Sequence, residues 1–338
     1  AHHAIDGILS GDPGKGDPIT HTDNANQGNW WMVDLATHRT PHYVSAVRIW
    51  NRTDGSGDRL RDFVVELLDA QDRVIKAADY NGIAGQVTDV YVNAAFVSKV
   101  RIRLKGADSL HIAEVQVLGY PIINVAKLKA QVSQSSTFEG SDGVTQSAGK
   151  AVDGVKNYEH RDSAITKFEN TPWWEVNLES PHVVHEVRLA NLNNSLNSRY
   201  LKRVRVQLFN TENELVGDRL VDSATEKLDV VVKVFGASVR RVRVSLDGFG
   251  TLALNEVSVL GFPSSSQEVL ALYRGQNVVQ PSLVMGAGLN LMAWAESLKE
   301  FGLSPSPYIE AALPEAGLAG AAEDAAAAAL CAESMGVV

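Results

Sequence analysis

The sequence predicts an all-β protein: two tandem antiparallel β-sandwiches followed by a partly helical tail. Three observations predict it. The first is an internal repeat. Ala-Ile-Asp-Gly at 4–7, Trp-Trp-Met-Val-Asp-Leu at 30–35, Ile-Trp-Asn-Arg at 49–52 and Ile-Ala-Glu-Val-Gln-Val-Leu-Gly-Tyr-Pro at 112–121 each return later. Their counterparts are Ala-Val-Asp-Gly at 151–154, Trp-Trp-Glu-Val-Asn-Leu at 173–178, Leu-Ala-Asn-Leu at 189–192 and Leu-Asn-Glu-Val-Ser-Val-Leu-Gly-Phe-Pro at 254–263. The order is kept while the loops between them change length, which is how a duplicated domain reads. The second is a period of two. Val-Arg-Ile-Arg-Leu at 100–104, Val-Arg-Val-Gln-Leu at 204–208 and Val-Arg-Val-Ser-Leu at 242–246 alternate apolar with basic or polar residues, placing one face in a core and the other in water. The third is punctuation: Gly, Asp, Asn and Ser cluster between these runs, with no helical period intervening.

Repeat one is expected over 1–121 and repeat two over 122–263. Repeat two opens at Asn124, well before its Asp153, whereas repeat one opens five residues before Asp6. The first strand of repeat one is therefore expected to be missing from the chain, with an upstream segment cleaved or left out. Each Trp-Trp pair should open a strand, one ring plugging the end of the sandwich and the other facing a loop. Beyond Phe262-Pro263 the character changes. Leu283, Leu291, Trp294 and Leu298 recur at helical spacing after Pro281-Ser282, Gly302 would stop that helix, and an Ala-rich stretch follows from Ala319 to Leu330. Residues 264–338 read as a tail that docks onto a partner chain.

The bulk numbers bound the function. The chain has 338 residues, 45% hydrophobic and 21% charged, with a formal net charge of −9. That charge argues against nucleic acid or an anionic membrane as partner. Cys331 is the one cysteine, so no disulfide forms within the chain and the sandwiches must hold by burial. No apolar run approaches the ~18 residues of a transmembrane helix. No nucleophile–base arrangement, Cys/His cluster or phosphate loop stands out, and no enzymatic activity is expected. Asn51-Arg-Thr and Asn193-Asn-Ser match the glycosylation acceptor pattern.

The combination of Ala-Ile/Val-Asp-Gly, Trp-Trp-x-Val-Asp/Asn-Leu, Asn-Arg-x-Asp and a closing Glu-Val-x-Val-x-Gly resembles the F-type lectin (fucolectin) family. More broadly it resembles the discoidin, or coagulation factor 5/8 type C, superfamily, whose fold is a jelly-roll, galactose-binding-like sandwich. The resemblance covers both repeats. It implies a fucose site built from one His and an Arg-x-Asp-x4-Arg/Lys motif. Arg52, Asp54 and Arg59 match that motif, and His21 is the expected histidine. The cysteine pair of the family pattern is absent; Gly55, Ser56 and Gly57 stand in that loop. Two guanidinium forks and an imidazole can make charge-assisted hydrogen bonds to vicinal hydroxyls, with Asp54 holding the guanidinium groups. The same residues can also be read as a surface salt-bridge cluster bracing a loop. Repeat two has Leu192, Asn194 and Arg199 at the corresponding positions and Ile165 where the His would stand, so it is expected to be degenerate.

The resemblance also implies calcium, held by Asp6 and Glu114 in repeat one and by Asp153 and Glu256 in repeat two, since carboxylate oxygens suit that ion. The alternative is that the Asp caps a turn and the Glu bonds backbone amides. The leading expectation is a lectin-like protein with a fucose-type site in repeat one, placed outside the cell or in an organelle lumen. The runner-up is a non-catalytic structural or adaptor subunit of a larger assembly, using both sandwiches and the apolar tail for protein–protein contacts.

Overall fold

The computed structural model describes residues 1–23, 27–35, 40–128, 130–193, 200–222 and 227–264. The tail, with its apolar stripe, falls outside the described residues, as do Asn194 and Arg199. The chain divides into two compact units, the first formed by Ala1–Ile122 and the second beginning at Ile123. Among the described residues the helical elements are 3₁₀ turns of three to five residues, and no helix is long and apolar enough to cross a membrane.

Unit 1 is a sandwich of a four-stranded and a three-stranded antiparallel sheet. The four-stranded sheet runs Trp30–Asp34, Lys99–Leu104, Arg61–Leu68, Val74–Ile83 in spatial order; the three-stranded one has His42–Trp50 between Val87–Val97 and Glu114–Pro121. Alternation does what the sequence asks of it. In Lys99–Leu104 the residues Val100, Ile102 and Leu104 are buried while Arg101 and Arg103 face outward. There they share Glu66, at 2.6 and 3.1 Å. The inner faces of both sheets, with Trp31, Val47, Ile49, Phe63, Val65 and Leu67 among them, form one core.

Unit 2 has the same pairings in a different envelope. Trp173–Ala190 and Asp229–Leu246 are continuous 18-residue strands that run together through both layers. They bend at register shifts between Asn177 and His182 and on to Glu186. In unit 1 the equivalent stretches are separate strands. Register is kept: Trp31 lies opposite Ile102 and Trp174 opposite Val244, while Val47 pairs with Val90 and Val117 and Val187 with Val232 and Val259. In each unit the second tryptophan of the pair is in the core: Trp31 donates its indole N–H to the Ala1 carbonyl at 2.9 Å and Trp174 to that of Ala148 at 3.0 Å. Trp30 is exposed and Trp173 half-buried. The recurring glycine in Leu-Gly-Tyr/Phe-Pro has a packing cause. A Cβ on Gly119 would stand 2.0 Å from the Tyr43 carbonyl oxygen, and one on Gly261 the same distance from that of Val183. At the bulge the neighbouring strand comes too close for any side chain.

Burial also sets an acid limit. His42 is packed into unit 1 with its Nδ1 lacking a hydrogen-bond partner, and burial alone pushes its pKa from 6.5 to about 4. Above pH 6.5 the ring is neutral in both states and costs nothing. Between 6.5 and 4 the unfolded chain binds a proton that the folded chain refuses, so stability falls as pH drops through that window. His42→Phe should remove this loss, about 3 kcal/mol at its full extent. The check is the difference between wild-type and variant unfolding free energies on the two sides of the window.

Candidate functional site

Three loops at one end of unit 1 supply the site. Arg52 stands one residue past the His42–Trp50 strand, and its backbone N–H is capped at 2.8 Å by the side-chain oxygen of the intervening Asn51. The Asn51 amide in turn donates to the Gly57 carbonyl at 2.8 Å, tying the Gly55–Ser56–Gly57 loop to the strand end. Arg59 closes the 3₁₀ turn Gly57–Arg59, anchored by the fully buried Leu60. His21 and His111 face each other across a two-residue antiparallel bridge, Thr20–His21 with His111–Ile112. Ala113 N–H donates to the Trp50 carbonyl at 2.9 Å, which brings this bridge beside the root of Arg52.

Arg52 is held on two sides. Its Nε donates to Asp54 Oδ1 at 2.6 Å and its Nη2 to Asp54 Oδ2, a fork-to-fork pair. Its Nη1 contacts His111 Nδ1. Arg59 Nη1 lies 3.3 Å from the other ring nitrogen, His111 Nε2. The hydrogen bond from Arg52 holds the Asp54 carboxyl below the usual carboxylate range. Burial, and then the charges of Arg52 and Arg59, push His111 down to about 4. His111 is therefore neutral near pH 7. A neutral imidazole has one lone pair and one N–H, so it cannot accept from both arginines. With Nδ1 accepting from Arg52, the Nε2–H faces the Arg59 guanidinium, donor against donor. An acceptor oxygen placed between them would satisfy both.

Of the four residues read from the sequence, Arg52, Asp54 and Arg59 come together with Asp54 on Arg52 only. The contact of Arg59 is to His111. His21 joins through His111, their rings 5.7 Å apart and edge to face. Arg52 is nearly buried, its side chain 11% exposed; His21 and Arg59 are exposed. The group is thus a shallow cleft with a polar floor, carrying two guanidinium charges against one carboxylate. The Asn51 acceptor pattern is not open to modification here, since Asn51 is buried and its amide bonded.

Unit 2 shows the same scaffold with different contents. Asn191 caps the Leu192 N–H at 2.8 Å as Asn51 caps that of Arg52. Ile165 and Ala253 pair across the equivalent bridge where His21 and His111 stand in unit 1. Ile165, Leu192 and Ala253, all buried, form a small apolar cluster with Tyr200 packed against it. Polar groups that converge in unit 1 are replaced together by an apolar plug.

Residues 3–102 match the F5/8 type C family, whose description is "NedA-like, galactose-binding domain". Unit 1 carries a domain of the F5/8 type C family. Among solved structures it is similar to a fucolectin from striped bass (Morone saxatilis) serum, at 23% identity, covering 77% of this chain and 90% of that one, with a TM-score of 0.47. It is similar to the lectin domain of lectinolysin, solved with Lewis b antigen, at 32% identity, covering 42% and 97%, with a TM-score of 0.35. It is also similar to a Streptococcus pneumoniae fucose binding module, at 30% identity, covering 34% and 79%, with a TM-score of 0.31. No curated protein matches significantly.

The F5/8 type C domain of unit 1 also brings Asp6 and Glu114 together. Asp6 Oδ1 accepts from the Ile8 N–H at 2.9 Å and Glu114 Oε2 from the Gly7 N–H at 3.3 Å. Glu114 is 1% exposed and its Oε1 has no hydrogen-bond partner. Burial, with the Asp6 charge adding to it, raises its pKa to about 7. An orphaned buried oxygen beside a second carboxylate fits a cation. In unit 2 the backbone contacts repeat, Val155 N–H to Asp153 Oδ1 at 2.8 Å and Gly154 N–H to Glu256 Oε2 at 3.2 Å. There, however, Lys127 Nζ lies 3.5 Å from Glu256 Oε1, so this pair does not fit a further cation. Among the described residues no three or more His, Cys, Asp or Glu are arranged so that they could hold a metal ion together.

Proposed function

We propose that unit 1 is a carbohydrate-binding, non-catalytic domain. Its site takes a fucose-type sugar through Arg52, Arg59 and His21, with Asp54 clamping Arg52 and His111 forming the floor. One observation carries the reading: the charged and imidazole groups of three separate loops converge in unit 1, while the same positions of unit 2 are closed by Ile165, Leu192 and Ala253. A structural salt-bridge cluster would have no reason to leave the Arg59 fork and the His111 Nε2–H facing each other. A sugar ring or hydroxyl oxygen resolves that mismatch, accepting from both. The printed ligands of similar proteins, a Lewis b antigen and fucose, belong to the same chemical class. The reading places the chain where glycans are found, outside the cell or in an organelle lumen. Asp6 and Glu114 are proposed to hold calcium beside the same domain, with Glu114 Oε1 as the ligand oxygen in waiting.

The test is a glycan array probed with the full chain and with His111→Ala. The wild type should bind fucosylated glycans, and His111→Ala should lose roughly tenfold or more, because the change removes both the Arg52 support and a ligand donor, each hydrogen bond being worth about 1 kcal/mol. Binding to no glycan, or binding untouched by His111→Ala, would remove this site.

A second reading, that of an adaptor, rests on Phe168 and Phe249. They are 75% and 76% exposed and stack at 6.4 Å in unit 2. Rings that open favour contact with another surface. It is tested by Phe168→Ser/Phe249→Ser on the full chain: a drop in self-association or partner capture with glycan binding intact supports it, and no change sinks it.

A further inference from the structure

The carboxylate pair of unit 2 has a lysine beside its buried glutamate. Lys127 ends the 3₁₀ turn Val125–Lys127. That turn is capped by Asn124, whose side-chain oxygen accepts from Ala126 N–H at 3.2 Å and from Val259 N–H at 3.0 Å. Val259 belongs to the Glu256–Pro263 strand, which also carries Glu256. One asparagine therefore pins the lysine-bearing turn to the strand of its partner. The ammonium reaches Glu256 Oε1 at 3.5 Å. It also overlies Gly154, where an added Cβ would lie 3.2 Å from Nζ. Gly154 follows Asp153 directly and donates its N–H to Glu256 Oε2. The ammonium thus sits on Glu256 Oε1, whose counterpart in unit 1, Glu114 Oε1, has no partner.

We propose that Lys127 is a tethered counter-ion standing where a divalent cation would bind, so that the Asp153/Glu256 pair of unit 2 is stable without metal. The physical grounds are charge and geometry. Glu256 is buried, with its side chain 7% exposed, and sits near a second carboxylate. A buried carboxylate needs a cation or a proton, and a lysine already in the fold supplies the first without the entropy of capturing an ion from solution. A long flexible stem lets the ammonium reach inward while staying half-exposed, here 49%.

The experiment uses the full chain with Glu114→Gln, which silences the unit 1 pair, with and without Lys127→Met. Calcium binding is followed by calorimetry and melting temperature in calcium against chelator. With Lys127 present, no calcium should bind through these pairs and the melting curve should be the same in both conditions. With Lys127→Met, the unit 2 transition should fall by several degrees in chelator, and calcium should restore it with one equivalent bound. A third variant, Lys127→Met/Glu256→Gln, guards against simple misfolding; it should fold and ignore calcium. The proposal is overturned if the Lys127-bearing chain already gains stability from calcium in unit 2. It is equally overturned if Lys127→Met gains no response to the ion. Neither result touches the sugar site, which lies in the other unit.

Discussion

Arg52→Ala should reduce the affinity of unit 1 for its glycan by about 100-fold, because hydrogen bonds to charged groups contribute about 1.5–3 kcal/mol and 1.4 kcal/mol is a factor of ten. The loss lies at the upper end of what one such contact gives, for Arg52 is the joint of the cleft. Its guanidinium bonds both oxygens of Asp54 and also Nδ1 of His111. Removing it frees the carboxylate and leaves the His111 tautomer without its template, so the Nε2–H no longer points reliably at the ligand. Arg52→Lys should recover little, since an ammonium cannot present the planar fork that fits Asp54. Arg59→Ala should weaken binding less, as its side chain is exposed and its contact to His111 is longer, 3.3 Å. Arg52→Leu is the informative control. It copies Leu192, which sits in the same Asn-capped position of unit 2, so the fold should tolerate it while binding disappears. Titration of a fucosylated oligosaccharide against each variant measures the series, and an unchanged affinity in Arg52→Ala would end the case for this cleft.

The sandwich was legible because alternation is a local property. Val100, Ile102 and Leu104 point inward for the same reason that Arg101 and Arg103 point out, and the sequence shows both at once. The long fused strands of unit 2 were not legible. Whether a chain bends through a bulge near Pro181 or breaks into two strands depends on the neighbouring strand, and the sequence of one stretch does not contain its neighbour. The same division holds in the site. Arg52, Asp54 and Arg59 lie within eight residues, so their spacing could be read. His111 comes from 59 residues beyond Arg52 and arrives through the register of a two-residue bridge. A signal for it existed all the same. His111 stands immediately before the recurring Ile-Ala-Glu-Val motif, and its counterpart in repeat two is Ala253, so it changes from polar to apolar together with His21 and Arg52. Covariation between the two copies marks the site where a motif alone does not. Lys127 left no such trace, because a lysine near the start of a repeat is unremarkable until the fold brings it onto Glu256.

Trp174→Ala should cost unit 2 about 3–5 kcal/mol, the range for truncating a large buried aromatic, whereas Trp173→Ala should cost about 1 kcal/mol or less. The two residues are adjacent, identical and on one strand, so propensity and backbone effects cancel between them. What differs is the face. Trp174 is 1% exposed, packs in the core with Val176, Val187, Val244 and Leu254, and spends its indole N–H on the Ala148 carbonyl. Its removal leaves a cavity and an unsatisfied carbonyl in a layer that also anchors the Ala148–Val152 turn just ahead of Asp153. Trp173 lies on the outer face under the Arg243 guanidinium, 4.6 Å from its ring. Arg243 keeps a second partner, Glu175 at 2.8 Å, when that ring is gone. A folded domain holds about 5–15 kcal/mol in all, so the inner substitution consumes a large part of the stability of unit 2 and the outer one very little. Denaturant unfolding followed by hydrogen exchange over 173–190 separates the two. A larger cost for Trp173→Ala than for Trp174→Ala would mean that the strand faces are assigned the wrong way round, and with them the inward direction of every alternating residue from Trp173 to Leu178.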